Sequence, residues 1–305
     1  TYNELLTVSK VGNDYRIADY GYIDKEKVDF KNQDENIAVE IASKEVSYKT
    51  EQYNVKITNK TDKYIMAKLY LIPTPIGNLE DMTLRGLRLL REVDYILAED
   101  TRTTSILLKH YDIHTRCFAH HQFNEHQSVE RIAQDIAAGK NVALVTDAGT
   151  PAISDPGFLL VRACLAEGIE VECLAGATAF VPALVVSGLP CERFCFEGFL
   201  PHKKGRQTRL KALRHETRTM IFYESPFRVD KTLQQFVEVF GGDRRVAVCR
   251  EISKKFEQVV RSTMQGAVEY FTENAPKGEF VIVVEGYNTE RRRDISTDTP
   301  LSGLD

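Results

Sequence analysis

The stretch best suited to ligand chemistry is residues 147–157, which read Asp-Ala-Gly-Thr-Pro-Ala-Ile-Ser-Asp-Pro-Gly and directly follow an apolar run at 142–145. Gly149 and Gly157 permit backbone torsions that other residues avoid, while the two prolines stiffen the chain. Because the side chains are small, a ligand can approach the main-chain amides. The pattern predicts a strand that ends in a small-molecule loop, although a single loop of this kind is more often a tight surface turn.

Two further loops of the same kind support the ligand interpretation. An apolar run at 68–72 precedes Pro-Thr-Pro-Ile-Gly-Asn at 73–78, and another at 170–174 precedes Ala-Gly-Ala-Thr-Ala at 175–179. Ligands of open parallel sheets bind at the carboxyl ends of the strands, where all three loops fall, so we expect the loops to line one pocket. None of them contains the G-x-G-x-x-G fingerprint, which argues against a nicotinamide dinucleotide.

The elements that must position these loops follow an α/β pattern. Short apolar strands alternate with helical repeats such as 84–90 and 129–138, which is typical of βαβ units. We therefore predict a first α/β domain at 66–176 and a second at 177–286, with the ligand cleft between them. The predicted elements of the second domain are strands at 219–223, 245–250 and 280–285 and a helix at 226–240.

Eight ordered motifs between Met66 and Gly286 point to one family. They are Leu-Ile-Pro-Thr-Pro-Ile-Gly-Asn-Leu-Glu-Asp at 71–81, Ala-Glu-Asp-Thr-Arg at 98–102, the loop 147–157, Ser-Gly-Leu-Pro at 187–190, Phe-Glu-Gly-Phe-Leu-Pro at 196–201, Phe-Tyr-Glu-Ser at 222–225, Arg-Glu at 250–251 and Lys-Gly-Glu at 277–279. By these motifs the chain resembles the tetrapyrrole methylase superfamily of S-adenosylmethionine enzymes, and within it the 16S rRNA (cytidine-2′-O)-methyltransferases. One departure is Ala175, where the family usually has a proline; its loss loosens that loop but keeps Gly176.

The resemblance implies a two-domain fold with the cofactor cleft between the domains, S-adenosylmethionine as cofactor and a homodimer. It implies 2′-O-methylation of a cytidine in the decoding region of small-subunit rRNA, so the partner is 16S rRNA or the small ribosomal subunit. It places the methionine part of the cofactor on 147–150. The residues that it assigns to cofactor binding are Pro73, Gly77, Asn78, Asp147, Ala148, Gly149, Thr150, Gly176, Ala177, Thr178, Gly198 and Phe199.

Methylation of a ribose hydroxyl needs help in removing a weakly acidic proton, which a nearby base or cation provides. The candidates are Glu99, Asp100, Arg102, Glu224, Arg250 and Glu251. Each is also a residue type that forms structural ion pairs, and for Arg250 and Glu251 the two interpretations are balanced. Glu99 and Asp100 directly follow the apolar run 95–98, which favours a functional role, and the Asp100 and Arg102 pair is suited to orienting the nucleotide. The sequence does not identify the base.

A basic segment lies within a net-acidic chain. The formal charge of the whole chain is −4, yet residues 202–218 hold seven Lys and Arg against one Glu. A charged run is usually only a solvated helix face. Its position directly after the motif at 196–201 instead favours phosphate binding, which adds salt-dependent affinity. The predicted RNA contacts are Lys203, Lys204, Arg206 and Arg209, with Asn124 and Glu125 as weaker candidates.

Both ends of the chain differ from the α/β part. Residues 1–65 hold seven of the thirteen tyrosines but no proline or cysteine, and alternating polar and apolar residues at 37–41 and 53–57 predict short strands. Since the family match begins at Met66, this β-rich leader is an incomplete β-domain, a genuine fusion or an upstream extension of the reading frame, and all three remain open. The composition of 287–305 predicts a disordered tail.

Composition excludes several other classes of protein. The six cysteines lack C-x-x-C spacing, and the histidines at 120, 121 and 126 lack the spacing of a metal site, so no metal is predicted. No apolar run approaches a membrane span and no signal pattern opens the sequence, which favours a cytoplasmic protein. Two alternatives remain: a methyltransferase of a tetrapyrrole precursor, against which the basic segment argues, and a non-catalytic RNA-binding or ribosome-assembly protein.

Overall fold

The computed structural model describes residues 67–121 and 125–288, together with five strands closer to the N-terminus. The chain divides into two units, Thr1–Met66 and Ala67–Asp305. In the first unit, β1 (Val8–Val11), β2 (Asp14–Ile17) and β3 (Gly21–Ile23) form an antiparallel sheet, and β4 (Ile37–Ser47) pairs antiparallel with β5 (Thr50–Asn59). The strands expected at 37–41 and 53–57 are therefore present and extend further than the alternation indicated.

The first half of the second unit is built on a parallel five-stranded sheet. Its strands are β6 (Lys68–Leu71), β7 (Tyr95–Ala98), β8 (Cys117–Ala119), β9 (Val142–Val145) and β10 (Glu170–Cys173), in the order β10-β6-β9-β7-β8. The helices between them are α1 (Leu84–Glu92), α2 (Thr101–His110), α3 (Glu125–Ala137) and α4 (Phe158–Ala166). All four residues of β7 and of β9 are buried, as expected of strands with helices on both faces of a parallel sheet.

The second half is built on a mixed sheet. Its strands are β11 (Phe194–Phe199), β12 (Thr219–Glu224), β13 (Arg245–Arg250), β14 (Gln258–Thr263) and β15 (Phe280–Val284), in the order β11-β12-β15-β13-β14, and only β11 and β12 pair in parallel. Its helices are α5 (Phe180–Ser187), α6 (Arg206–Leu213), α7 (Val229–Phe240) and α8 (Met264–Glu273).

Alternation along β12 fills the cores on both faces of this sheet. Phe222 is buried in one apolar cluster with Phe236 of α7, whereas Ile221 is buried in another with Leu184 of α5. Successive side chains of a strand point to opposite faces, so neighbouring residues can serve two different cores. Thus β12 is held between helices on both faces of the sheet, and its carboxyl end is fixed in place.

The α/β fold expected from the sequence is confirmed. The strand at 245–250 has the expected bounds, whereas the helix expected at 226–240 begins only at Val229. The helix starts three residues later than expected because residues 225–229 form a turn, in which the Ser225 carbonyl accepts the N–H groups of Arg228 and Val229. Among the described residues, no helix is long and apolar enough to cross a membrane. Asn124 and the tail from 289 onward lie outside the described residues.

Deletion of residues 1–66 is expected to leave the remaining unit folded, because all four described apolar clusters draw their members from residues beyond 66. The measurement is thermal unfolding of the full chain and of the truncated chain under the same conditions. A melting temperature lowered by more than about 4 °C, which corresponds to roughly 1 kcal/mol or more for a chain of this size, would show that the leader stabilises the α/β unit.

Candidate functional site

The three loops singled out in the sequence meet at the carboxyl edge of the parallel sheet. The Thr74 N–H donates to the Gly149 carbonyl at 2.9 Å, and the Gly149 N–H donates to the Thr74 carbonyl at 3.0 Å. The Thr150 hydroxyl donates to the Ala177 carbonyl at 3.1 Å. The loops after β6, β9 and β10 are thereby joined by their own hydrogen bonds into one surface.

Gly149 stands where a side chain would be strained. Its φ of +91° lies in the left-handed region that favours glycine. A Cβ at this position would lie 3.6 Å from the Ile76 side chain and 3.8 Å from the Ala177 carbonyl oxygen, which is ordinary contact. The backbone torsion, and not lack of space beside the loop, therefore selects glycine here.

A cavity of about 350 Å³ lies between the two halves, bounded on one side by this surface. The loops after the strands of the parallel sheet contribute Ile76, Glu99, residues 147–150, residues 153–155, Thr178 and Ala179, and the mixed sheet and its loops contribute Phe199, residues 223–226, Ile252 and residues 279–281. Cavities of this size, mostly apolar with a few polar groups, are typical of small-molecule sites. Eight of the residues predicted for the site line the cavity: Glu99, Asp147, Ala148, Gly149, Thr150, Thr178, Phe199 and Glu224.

Three of the five acidic residues that line the cavity, Glu99, Asp147 and Asp155, interact electrostatically with one another. The Thr146 hydroxyl donates to Glu99 Oε2 at 2.7 Å and so fixes that side chain. Burial, and then the nearby Glu99, raises the pKa of Asp155 to about 6. The pKa of Asp147 is raised by the same two causes, burial first. Carboxylates that disfavour one another in this way favour a cationic ligand group or a proton.

The ion pair of Asp100 and Arg102 lies at the edge of this acidic group. Asp100 caps α2 by accepting the Arg102 N–H, and its carboxylate pairs with the guanidinium at 2.6 Å. These hydrogen bonds lower the pKa of Asp100 to about 2. The Asp100 N–H donates to Asp147 Oδ1 at 3.2 Å, which connects the pair to the cavity wall. Asp100 is therefore ionised and held in place, while the Arg102 side chain is exposed.

An aromatic wall closes the other side of the cavity. The Tyr223 ring packs edge-on against Phe196 at 5.0 Å and against Phe199 at 5.5 Å between ring centroids. Gly198 has a φ of +58° and lies where the pairing of β11 with β12 shifts register. Such an irregularity redirects the following side chain, which here is Phe199 at the cavity.

Comparison with known proteins identifies the family. The model of the tetrapyrrole (corrin/porphyrin) methylases matches residues 68–267. The chain belongs to the tetrapyrrole methylase family. It is 48% identical over 234 residues to the ribosomal RNA small subunit methyltransferase I of Synechocystis, covering 76% of this chain and 84% of the relative. It is 45% identical over 221 residues to the protein of that name from Thermotoga maritima, covering 72% of this chain and 99% of the relative.

Solved structures share the methylase fold at low identity. A diphthine synthase superposes with a TM-score of 0.57 at 14% identity, covering 72% of this chain and 90% of that one. A uroporphyrin-III C-methyltransferase of Thermus thermophilus superposes with a TM-score of 0.52 at 19% identity, covering 71% and 94%. At these identities the likeness shows the fold alone.

Several residues that the sequence predicted to bind the cofactor lie outside the cavity lining. They instead shape the loops that border the cavity. A Cβ on Gly176 would lie 2.6 Å from the Pro73 side chain, so these two residues pack against each other. Gly77 lies against Lys254 and borders a second cavity of about 190 Å³. Asn78 caps the short 3-10 helix Leu79–Asp81 by accepting the Glu80 N–H. Each of these positions shapes a loop, and their role in binding stays a prediction.

Glu251 and its neighbours form a separate cluster behind the cavity. The Glu251 carboxylate accepts the Glu279 N–H at 2.9 Å and a hydrogen bond from the Lys254 ammonium at 3.0 Å. Burial opposes its ionisation, but these two donors outweigh burial and lower the pKa of Glu251. Glu251 is therefore engaged in holding Glu279, which lines the cavity, and its predicted catalytic role stays a prediction.

The basic segment is less uniform than its composition indicated. Arg206 is only 7% exposed, and its guanidinium donates to the Gln235 and Thr232 side chains and to the Pro201 carbonyl. The prediction that Arg206 contacts RNA is therefore corrected, because its donors are used inside the protein. Arg209 is exposed but forms a double hydrogen bond with Glu197, at 2.7 and 2.8 Å. Lys203 and Lys204 are exposed on the surface.

Sequence reasoning missed part of the cavity. Asp155 lies within the quoted loop, between Ser154 and Pro156, and an acidic residue inside a small-molecule loop was a usable signal. Ile76 and Ile252 carried no such signal, because an apolar residue on a cavity wall looks in sequence like any core residue.

Replacement of Asp155 by Asn is expected to stabilise the protein at pH 8. Between about pH 4 and 6 the folded state holds a proton that the unfolded chain releases, so stability falls as pH rises through this window. Allowing for solvent screening of a partly exposed group, we expect a gain of about 1 kcal/mol at pH 8 that vanishes below pH ~4. Urea unfolding at several pH values measures the difference, and Asp243→Asn, at an exposed position, is the control. Equal gains at every pH would contradict this account.

Proposed function

We propose that this methylase transfers a methyl group from S-adenosylmethionine to the ribose 2′-oxygen of a cytidine in the decoding region of small-subunit rRNA. One observation carries the proposal: the cavity where the three loops meet belongs to a chain 45–48% identical to proteins named ribosomal RNA small subunit methyltransferase I. The match includes 99% of the Thermotoga relative, so a protein of that name consists almost entirely of the matched part.

The residues around the cavity fit S-adenosylmethionine. Bound there, S-adenosylmethionine would supply the methyl group of its sulfonium, and its sulfur would be left as a neutral thioether. The carboxylate of Asp147 suits the ammonium of its methionine part, and the glycine backbone at 149 lets the ligand approach the main chain. The apolar side chains of Ile76 and Phe199 suit a flat adenine ring and keep water away from it.

The chain's own residues position the acceptor and receive its proton. A general base is most effective when its pKa lies close to the working pH, which favours Asp155 over Asp100, whose pKa is about 2. Glu99, fixed by the Thr146 hydroxyl, is the second acceptor within the same acidic group. Asp100 and Arg102 orient the nucleotide at the cavity edge, because their ion pair leaves the guanidinium exposed.

Self-association and location complete the proposal. We expect a homodimer, as the family resemblance implies. A ribosomal substrate agrees with the cytoplasmic location that the sequence predicts.

Replacement of Gly149 by Val is expected to abolish binding of S-adenosylmethionine at concentrations that saturate the unaltered protein. A branched side chain cannot adopt a φ of +91° without strain, and the loop that lines the cavity must move. Isothermal titration calorimetry measures binding. Gly139→Val is the matched control, since Gly139 has a φ of +105° but is remote from the cavity lining. Normal affinity in a folded Gly149→Val protein would place the cofactor elsewhere.

The double replacement Lys203→Ala and Lys204→Ala is expected to weaken binding to small subunits several-fold. Each lost phosphate contact reduces the slope of log affinity against log salt by about 1, so the slope should fall by about 2. Filter binding across a salt series measures the slope, with affinity for S-adenosylmethionine unchanged. Lys109→Ala, an exposed lysine of α2, is the control and should leave the slope unaltered. An unchanged slope in the double variant would remove these lysines from the RNA surface.

The decisive experiment incubates the purified protein with radiolabelled S-adenosylmethionine and small ribosomal subunits from a strain that lacks this methylation. Nuclease digestion then locates the label. Label on a cytidine 2′-oxygen in the decoding region, absent with the Gly149→Val variant, supports the proposal. Cofactor binding without label on RNA would overturn it and leave two alternatives, a tetrapyrrole substrate and a non-catalytic role in ribosome assembly.

A further inference from the structure

The loop between β12 and α7 carries an aromatic residue beside the cavity. Ser225 and Pro226 line the cavity, and the next residue, Phe227, is 94% exposed. Single exposed apolar residues are common on protein surfaces and by themselves mean little. Phe227 is unusual for a different reason, which is that the loop carrying it is firmly held.

Hydrogen bonds fix this loop at both ends. The Ser225 carbonyl accepts the N–H of Arg228 at 3.0 Å, which closes the turn around Phe227. The Arg228 guanidinium pairs with Glu224 Oε1 at 2.9 Å, and the Glu224 side chain is only 1% exposed. The other oxygen of Glu224 accepts the Thr232 hydroxyl at 2.7 Å. Phe227 is therefore an exposed ring on a rigid turn, so little conformational freedom is lost when a partner covers it.

The same contacts join the turn to the basic segment. Arg228 Nη1 donates to His202 Nδ1 at 2.6 Å, and Lys203 and Lys204 directly follow this histidine. The Arg206 guanidinium, further along the segment, lies 3.7 Å from Glu224 Oε2. One buried carboxylate thus holds both the aromatic turn and the segment that carries the exposed lysines.

We propose that Phe227 stacks against an RNA base next to the nucleotide that enters the cavity. Proteins read single-stranded RNA by stacking unpaired bases on exposed aromatic rings while cationic side chains follow the phosphates. Phe227 supplies the ring and Lys203 and Lys204 supply the cations, on segments joined through Arg228 and His202. The inference deepens the proposed function and rests on it, because it requires an RNA chain at the mouth of the cavity.

The test compares two RNA probes, a fluorescent oligocytidylate and an abasic ribose-phosphate oligomer of the same length. Replacement of Phe227 by Leu keeps an apolar side chain but removes the ring. It is expected to weaken oligocytidylate binding by about tenfold, a typical loss for one stacked base, and to leave binding of the abasic oligomer unchanged. Phe227→Trp should retain the wild-type affinity. Phe194→Leu is the matched control, since Phe194 is exposed at the opposite end of β11 from the cavity residue Phe199.

Two results would overturn the stacking role. If Phe227→Leu binds oligocytidylate as tightly as the wild type, no base stacks there; if it loses affinity for both probes equally, Phe227 supports the basic segment instead. Failure of the proposed function gives a different pattern, in which Phe227 controls oligocytidylate binding but the wild-type protein places no label on small subunits. Labelled subunits combined with probe binding that ignores Phe227 would overturn the stacking inference alone.

Discussion

The two reciprocal hydrogen bonds between Thr74 and Gly149 are the constraint on which the cavity depends. Strands β6 and β9 are neighbours in the parallel sheet, but the loops after parallel strands have no ladder to hold them together. The bridge is antiparallel and lies three residues beyond the end of β6 and four beyond the end of β9, where Gly149 has a left-handed φ. The acidic group and the apolar wall are then fixed relative to a backbone surface that a ligand can approach.

A second fixed point lies across the cavity, at Glu224. Its carboxylate is buried at the end of β12 and is surrounded by Arg228, Thr232 and Arg206. A buried charge is tolerated only when it is paired and hydrogen-bonded, and removal of one partner strongly destabilises such a group. The bridge holds the loops on one side of the cavity, and this cluster holds the end of β12 on the other side.

The sequence predicted the fold and the loops well because both depend on local patterns. The apolar run at 142–145 and the glycines that follow it are read directly from residue type, and β9 and the loop after it are where they were expected. Burial depends on tertiary contacts and cannot be predicted from residue type alone. Arg206 was counted among surface cations because composition cannot show that Gln235, Thr232 and Glu224 surround it in the fold.

The residues of the candidate site also divide into those predictable from local motifs and those that depend on tertiary contacts. Asp147 and Gly149 follow from the motif, whereas the engagement of Glu251 with Lys254 and the Glu279 N–H depends on residues that meet only in the folded chain. Two apolar residues of the cavity wall, Ile76 and Ile252, could not be predicted, because they resemble core residues until a cavity is seen beside them. Residue type therefore predicts which loops matter, and packing decides which side chains reach the ligand.

The burial of Arg206 has a consequence for how the basic segment meets any phosphate-bearing partner. A chain rich in lysine and arginine usually repels itself and samples many conformations, and binding must then arrest that motion at an entropic cost. Here one of the segment's own cations is drawn inward and, near Glu224, holds the start of α6 against α7. The remaining cationic side chains are therefore carried on a segment whose position is already fixed by the fold. Binding of a phosphate-bearing partner therefore costs less conformational entropy, because the segment is already ordered in the folded protein.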